Sequence, residues 1–324
     1  MFQDSSKILL SRLQYMESGL LEQEVDDLAS SFTLKTGYSN LDKVSPLYPG
    51  LYVLGAISSL GKTTFMSQMS FQIAEQGNVV IFFSYEQSRL ELISKSISRI
   101  TYKLGNGVTS LDIRRGLKNE TVNKAKLECM KNGGNEYIYE AKFGDSIDVI
   151  CEVVDSFVSK GRRPVVIVDY LQIIAPSKIG NRIMTSKESI DDIVQKLKFL
   201  QRKHKLTIFL ISSLNRQNYL SQIDFESFKE SGGIEYTADV VFGMQLVCMN
   251  ESIFSSQTNV NKKRERVMQA KSEVPRQVEL ICLKNRYGET GYKCRFNYYP
   301  KFDYFEAVDE DKKKSDNSDL QLLV

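Results

Sequence analysis

Residues 51–76 read LYVLGAISSLGKTTFMSQMSFQIAEQ: an apolar run, a turn of small residues, GKTT, and then a helical pattern with no break. A strand, a tight turn and an immediate helix start are what a phosphate-binding loop requires. The backbone N–H groups of the turn and the positive end of the helix then face one anion. On that reading Ser58, Ser59, Leu60, Gly61, Lys62, Thr63 and Thr64 form the nucleotide-binding stretch. Lys62 would reach the terminal phosphates of ATP and the Thr63 hydroxyl would ligate magnesium. The usual pattern places glycine six residues before the lysine. That residue is Ala56, and the glycine stands one place earlier, at Gly55. A chance GKT in a strand-to-helix turn is the plain alternative.

What surrounds this stretch continues its rhythm. LYVLGAI, VVIFFS, VVIVDYL, TIFLIS, VVFGMQLV and VELICL are strand candidates, rich in β-branched and apolar residues. Between them TTFMSQMSFQIAEQ, RLELISKSISRITYKL, IDVICEVVDSFVSK and SIDDIVQKLKFLQRKH carry apolar residues three and four apart. Strands alternating with helices imply βαβ units, hence an α/β fold with a mainly parallel sheet covered on both faces. Residues 176–187, 215–233 and 250–277 fall outside the rhythm, and loops of that length in a domain usually carry function or lack order. The charged run DEDKKKSDNSD from Asp309 is expected to be a solvated tail.

Composition narrows the chemistry. With 324 residues, 42% hydrophobic and 26% charged, the chain can bury a large core. Its longest apolar run, VVIVDYLQIIA, is interrupted by Asp169 and Gln172 and falls short of the roughly 20 apolar residues a membrane helix needs. The start, MFQDSSKILLSRLQ, lacks the long apolar core of a signal peptide, so a cytoplasmic protein without a membrane partner is expected. Five cysteines without a CxxC pair and a single histidine, His204, argue against a histidine-rich metal site. A net charge of +3 neither demands nor excludes nucleic acid, because local patches hold phosphates.

Two carboxylates are candidates beside the loop. Asp169 ends the run PVVIVD, where a strand-end aspartate suits a magnesium ligand acting through water, although such a residue is often only a turn former. Glu86 ends VVIFFSYE, where it could orient an attacking water or simply favour a helix start.

The stretches ISSLGKTTF, VVIFFSYEQS, VVIVDYLQII, LISSLNR, ESGGIEYTADVVFGM and LKNRYGETG stand in an order and spacing that resembles the ATPase domain of DnaB-type replicative helicases. The resemblance covers most of residues 32–308 and implies a RecA-like P-loop NTPase core. That family commonly has alanine where Ala56 stands. By resemblance, Lys62 and Thr63 are the phosphate and magnesium residues, Glu86 is the catalytic base and Asp169 the Walker B acid. Lys284 and Arg286 resemble the basic pair inserted into the neighbouring subunit's site, where positive charge stabilises phosphoryl transfer. A surface hairpin rich in basic residues is the bland reading of that pair. The family has glutamine at the position of Ser213. Serine reaches the γ-phosphate only through water, so coupling of hydrolysis to DNA is expected to be weak or rerouted.

The same resemblance implies a homo-oligomeric, hexameric ring acting on single-stranded DNA, with other replication proteins as possible partners. Its channel loops would follow Leu171 and Arg216, offering Lys178, Arg182 and Lys187 in the first and Arg216 and Lys229 in the second. The basic run NKKRERVMQAK reads better as a solvated helix or loop than as a DNA contact. Residues 1–31, with Ile8, Leu9, Leu13, Met16, Leu20 and Leu21 at helical spacing, are expected to be an arm. That arm would lie on a neighbouring subunit or on its own core. Residues 32–308 would be the ATPase domain and 309–324 the tail. Two rivals share these features: a RecA or KaiC-like ATPase, and a nucleotide-gated assembly module without unwinding activity.

Overall fold

Leu51–Ala56 forms strand β1 with all six residues buried, as a strand covered by helices on both faces must be. The computed structural model describes residues 10–31, 34–142, 144–177, 184–215, 219–228, 231–255 and 259–309. The other strands are β2 Val80–Ser84, β3 Glu136–Glu140, β4 Val165–Asp169, β5 Ile208–Ser213, β6 Val240–Leu246, β7 Arg276–Asn285, β8 Lys293–Tyr299 and β9 Tyr304–Ala307. They build one sheet in the order β3-β2-β4-β5-β1-β6-β7-β8-β9. Pairing is parallel from β3 to β6 and antiparallel from β6 to β9.

The six strand candidates all form. β3, β8 and β9 are additional. β3 is a half-exposed edge strand, EYIYE, with charges at both ends. β8 buries Cys294, Phe296 and Tyr298 and turns Lys293 and Arg295 outward, the period-two pattern of a strand with one covered face.

The four helix candidates form as Lys62–Glu75, Arg89–Lys103, Ile147–Val158 and Ser186–His204. Two of them start on reciprocal caps, Ser88 with Glu91 and Thr185 with Glu188, in which the hydroxyl and the carboxylate each take one free N–H of the first turn. Within 250–277, which falls outside the strand-helix rhythm, Val260–Ser272 is a helix, one of the two forms expected of its basic run. Its basic run is partly consumed internally: Arg266 pairs with Glu251 and Glu273, and Lys263 donates to the Phe254 carbonyl.

The arm forms two helices, Arg12–Glu17 and Leu20–Ser31, because Gly19 adopts φ of 73° between them. Glu24 pairs with Lys205 of the core at 3.5 Å, while Leu13 and Met16 stay 63% and 54% exposed. Residues 1–9 and the tail 310–324 lie outside the described residues.

Phe65 fastens the helix Lys62–Glu75 to the antiparallel strands. Its ring stacks on Tyr38 at 4.5 Å and meets Phe296 and Phe305 edge-on, burial of the kind that contributes about 1.5–3 kcal/mol. Among the described residues no helix is long and apolar enough to cross a membrane.

Candidate nucleotide site

The loop from Ile57 to Gly61 joins β1 to the helix Lys62–Glu75 at the carboxyl edge of the parallel strands, where α/β sheets bind ligands. Ala56 is a strand residue, buried and paired with Ser213 and Met244. Positive φ belongs instead to Ser59 (65°) and Gly61 (87°), so position 56 needs no glycine. Gly55 has a separate reason to be glycine. A Cβ there would fall 2.3 Å from the ring of Phe228, which packs down onto β1 from the segment beyond β5. At Gly61 a Cβ would meet Tyr298 at 2.9 Å, in a left-handed turn that also strains any side chain.

Lys62 opens the helix, and its ammonium donates to the Ala56 carbonyl at 2.9 Å. Burial pulls it below the usual lysine range, while Asp169, Tyr219 and Glu86 oppose that shift. Asp169 ends β4 with 1% exposure. Burial pushes its carboxyl up to about 6, and nearby Glu86 adds to the rise while a hydrogen bond with Thr63 opposes it. Its Oδ2 is buried and has no hydrogen-bond partner among the described residues.

Glu86 lies two residues past the end of β2, exposed, in the bend before the helix at Arg89. Register sets it there: Ser84 pairs with Asp169, and the Tyr85 N–H donates to the Asp169 carbonyl at 2.7 Å. Lys62, Thr63, Asp169 and Glu86 therefore converge. Ser58 and Ser59 form the exposed tip of the loop and Leu60 is fully buried beneath it. Thr64 faces a different set: its Oγ1 accepts from Lys95 at 3.2 Å and lies 3.4 Å from Asp303.

Lys284 and Arg286 lie elsewhere. Asn285 pairs with Val240 at the start of β6, whereas Met244 near its end pairs with Ala56. β6 separates the two sheet edges by about 20 Å at roughly 3.3 Å per residue. Arg286 donates to Asp239 at 3.1 Å, a carboxylate also held by Lys198 and the Leu51 N–H. Lys284 donates to the Glu235 carbonyl, and burial together with Arg286 lowers its affinity for a proton.

Ser213 closes β5, and its N–H donates to Gln172 Oε1 at 3.1 Å, while Gln172 Nε2 donates to Ser212. Lys178, Arg182, Arg216 and Lys229 lie outside the described residues. Sequence reasoning passed over Lys95, a lone charge on the covered stretch LISKSIS, and Asp303, which pairs with it at 3.7 Å. It also passed over Tyr298 and Arg276, which reach the loop from the far end of the chain.

Residues 33–307 match the family model described as the DnaB-like helicase C-terminal domain. The replicative DNA helicase DnaB of Mycoplasma genitalium is 26% identical over 281 residues, covering 82% of this chain and 54% of that protein. For the protein of the same name from Helicobacter pylori the figures are 26% over 297 residues, 82% and 57%. The chain thus spans about half the length of the relatives it matches. Among solved structures, one described as an ATPase domain superposes with a TM-score of 0.71 at 21% identity, covering 91% of this chain and 99% of that one. A DnaB-like replicative helicase, described with its interactions with primase, gives 0.70 at 22%, covering 90% and 67%. The fold is the RecA-like α/β core. A single family model runs unbroken from the phosphate loop to the Lys284 and Arg286 turn, and the chain belongs to the DnaB-like helicase C-terminal domain family.

Proposed function

We propose that residues 32–308 form an ATP-hydrolysing motor core that works on single-stranded DNA during replication, as a hexameric ring in the cytoplasm. One observation carries this reading. Lys62, Thr63, Asp169 and Glu86 meet at one sheet edge while Lys284 and Arg286 stand at the other. One copy then supplies the loop and acids, and its neighbour the positive charge that hydrolysis draws on. The exposed apolar residues of the arm support contact between copies.

The loop N–H groups and Lys62 hold the phosphates, and Glu86 accepts a proton from the attacking water. The residues also fit a divalent cation: the bare buried Oδ2 of Asp169 needs a compensating charge, and the Thr63 hydroxyl is its neighbour. Bound magnesium would neutralise charge on the phosphates. Other replication proteins are the natural partners of such a ring.

The test combines ATP turnover with and without single-stranded DNA, mass measurement in ATP, and strand displacement. DNA-stimulated turnover by a hexamer that separates strands is the expected result. Turnover unmoved by DNA favours the assembly-module reading, which Ser213 supports. A monomer in ATP refutes the ring.

A further inference from the structure

Arg276 opens β7 at the sheet edge that carries the phosphate loop. Its guanidinium donates to the Ser59 carbonyl through NH1 at 2.8 Å and to the Lys271 carbonyl through Nε at 3.0 Å. It also lies over the Tyr298 ring, 5.6 Å from the centroid. Tyr298 in turn stacks on Phe305 at 4.0 Å and fills the space beside Gly61. Lys271 extends its ammonium to the Ser58 carbonyl at 3.5 Å. Two successive carbonyls of the loop tip are thus held by cations from the helix Val260–Ser272 and the strand that follows it.

A peptide unit is planar, so its C=O and the next residue's N–H point in opposite directions. Fixing the Ser58 and Ser59 carbonyls against Lys271 and Arg276 therefore fixes where the Ser59 and Leu60 N–H groups point. Ser59 sits at φ of 65° without being glycine, a conformation that persists where surrounding contacts impose it. Arg276 supplies such a contact.

We propose that Arg276, assisted by Lys271, is a positioning residue for nucleotide binding: it aims the loop's N–H groups at the phosphates from a segment more than two hundred residues away. This rests on the phosphate-loop reading above. The test titrates ADP carrying a fluorescent ribose label, with Mg²⁺, into the parent chain and the Lys62→Ala, Arg276→Ala and Arg276→Lys variants. Arg276→Ala should bind about tenfold more weakly, with KM for ATP raised by the same factor and kcat within about twofold, as for lost ground-state binding. Its melting temperature without nucleotide should stay near that of the parent. Arg276→Lys keeps the charge but not the fork and should lose about threefold. It carries the test if Arg276→Ala does not fold. Parent-like ADP affinity in a folded Arg276 variant, with Lys62→Ala weakened, overturns this inference alone. A parent chain that binds no labelled ADP overturns it together with the phosphate-loop reading.

Discussion

The N–H of Tyr85 donates to the carbonyl of Asp169 at 2.7 Å, fastening the first residue beyond β2 to the last residue of β4. Glu86 is thereby carried to the side of Asp169 by the backbone, and among the described residues its side chain makes no hydrogen bond. Glu86→Gln should retain ATP binding and slow hydrolysis by about 10² or more, the usual effect of losing a general base. Lys62→Ala should lose tight binding instead. Equal loss of binding in both variants, measured by nucleotide titration, would make Glu86 structural.

Asp169 gives a pH-dependent prediction. Burial raises its carboxyl from 3.8 to about 6, so the folded chain holds that proton more tightly than the unfolded chain does. Stability then falls as pH rises through this window, and the full penalty of about 3 kcal/mol is present above it. Asp169→Asn should melt higher than the parent at neutral pH in EDTA, with the gain vanishing near pH ~4. A gain independent of pH would separate it from ionisation.

Arg286 and Glu86 occupy opposite sheet edges, so defects in them should complement. Mixing Arg286→Ala with Glu86→Gln protein should recover part of the turnover, because some neighbours then pair an intact Glu86 with an intact Arg286. Mixed rings, verified by mass, that stay as inactive as the separate variants count against sites shared between copies.

Position 213 tests coupling. Gln172 already bridges the Ser212 hydroxyl and the Ser213 N–H. Ser213→Gln should raise the DNA stimulation of turnover with little change in nucleotide affinity, because the longer side chain extends from the strand end toward the phosphates. Reduced turnover would show that the longer side chain crowds the site and that another residue does the sensing. An unchanged DNA response would remove position 213 from the coupling path.

The strand, turn and helix of residues 51–75 were legible because their signals are local: an apolar run, small turn residues and an immediate helical pattern within about 25 residues. Strands of the parallel sheet read as continuous apolar runs for the same reason, each being covered on both faces. For the helix Val260–Ser272 the sequence left helix and loop both open, since it buries only Val267 and Ala270 among charges. Lys95, Asp303 and Arg276 gave no local signal. Their roles arise from contacts between segments far apart in sequence, such as Thr64 with Asp303. The break at Gly19 was readable in principle, since a glycine inside a helical pattern often ends it.

β7 begins at Arg276, against its own phosphate loop, and ends at Asn285, with Lys284 and Arg286 beside it. Nine residue steps at roughly 3.3 Å make a strand of about 30 Å, paired with β8 over Arg276–Ile281 and with β6 over Val278–Asn285. One continuous strand thus carries a contact to the loop tip at its start and the basic pair at its end, so an insertion or register shift within β7 would disturb both ends at once.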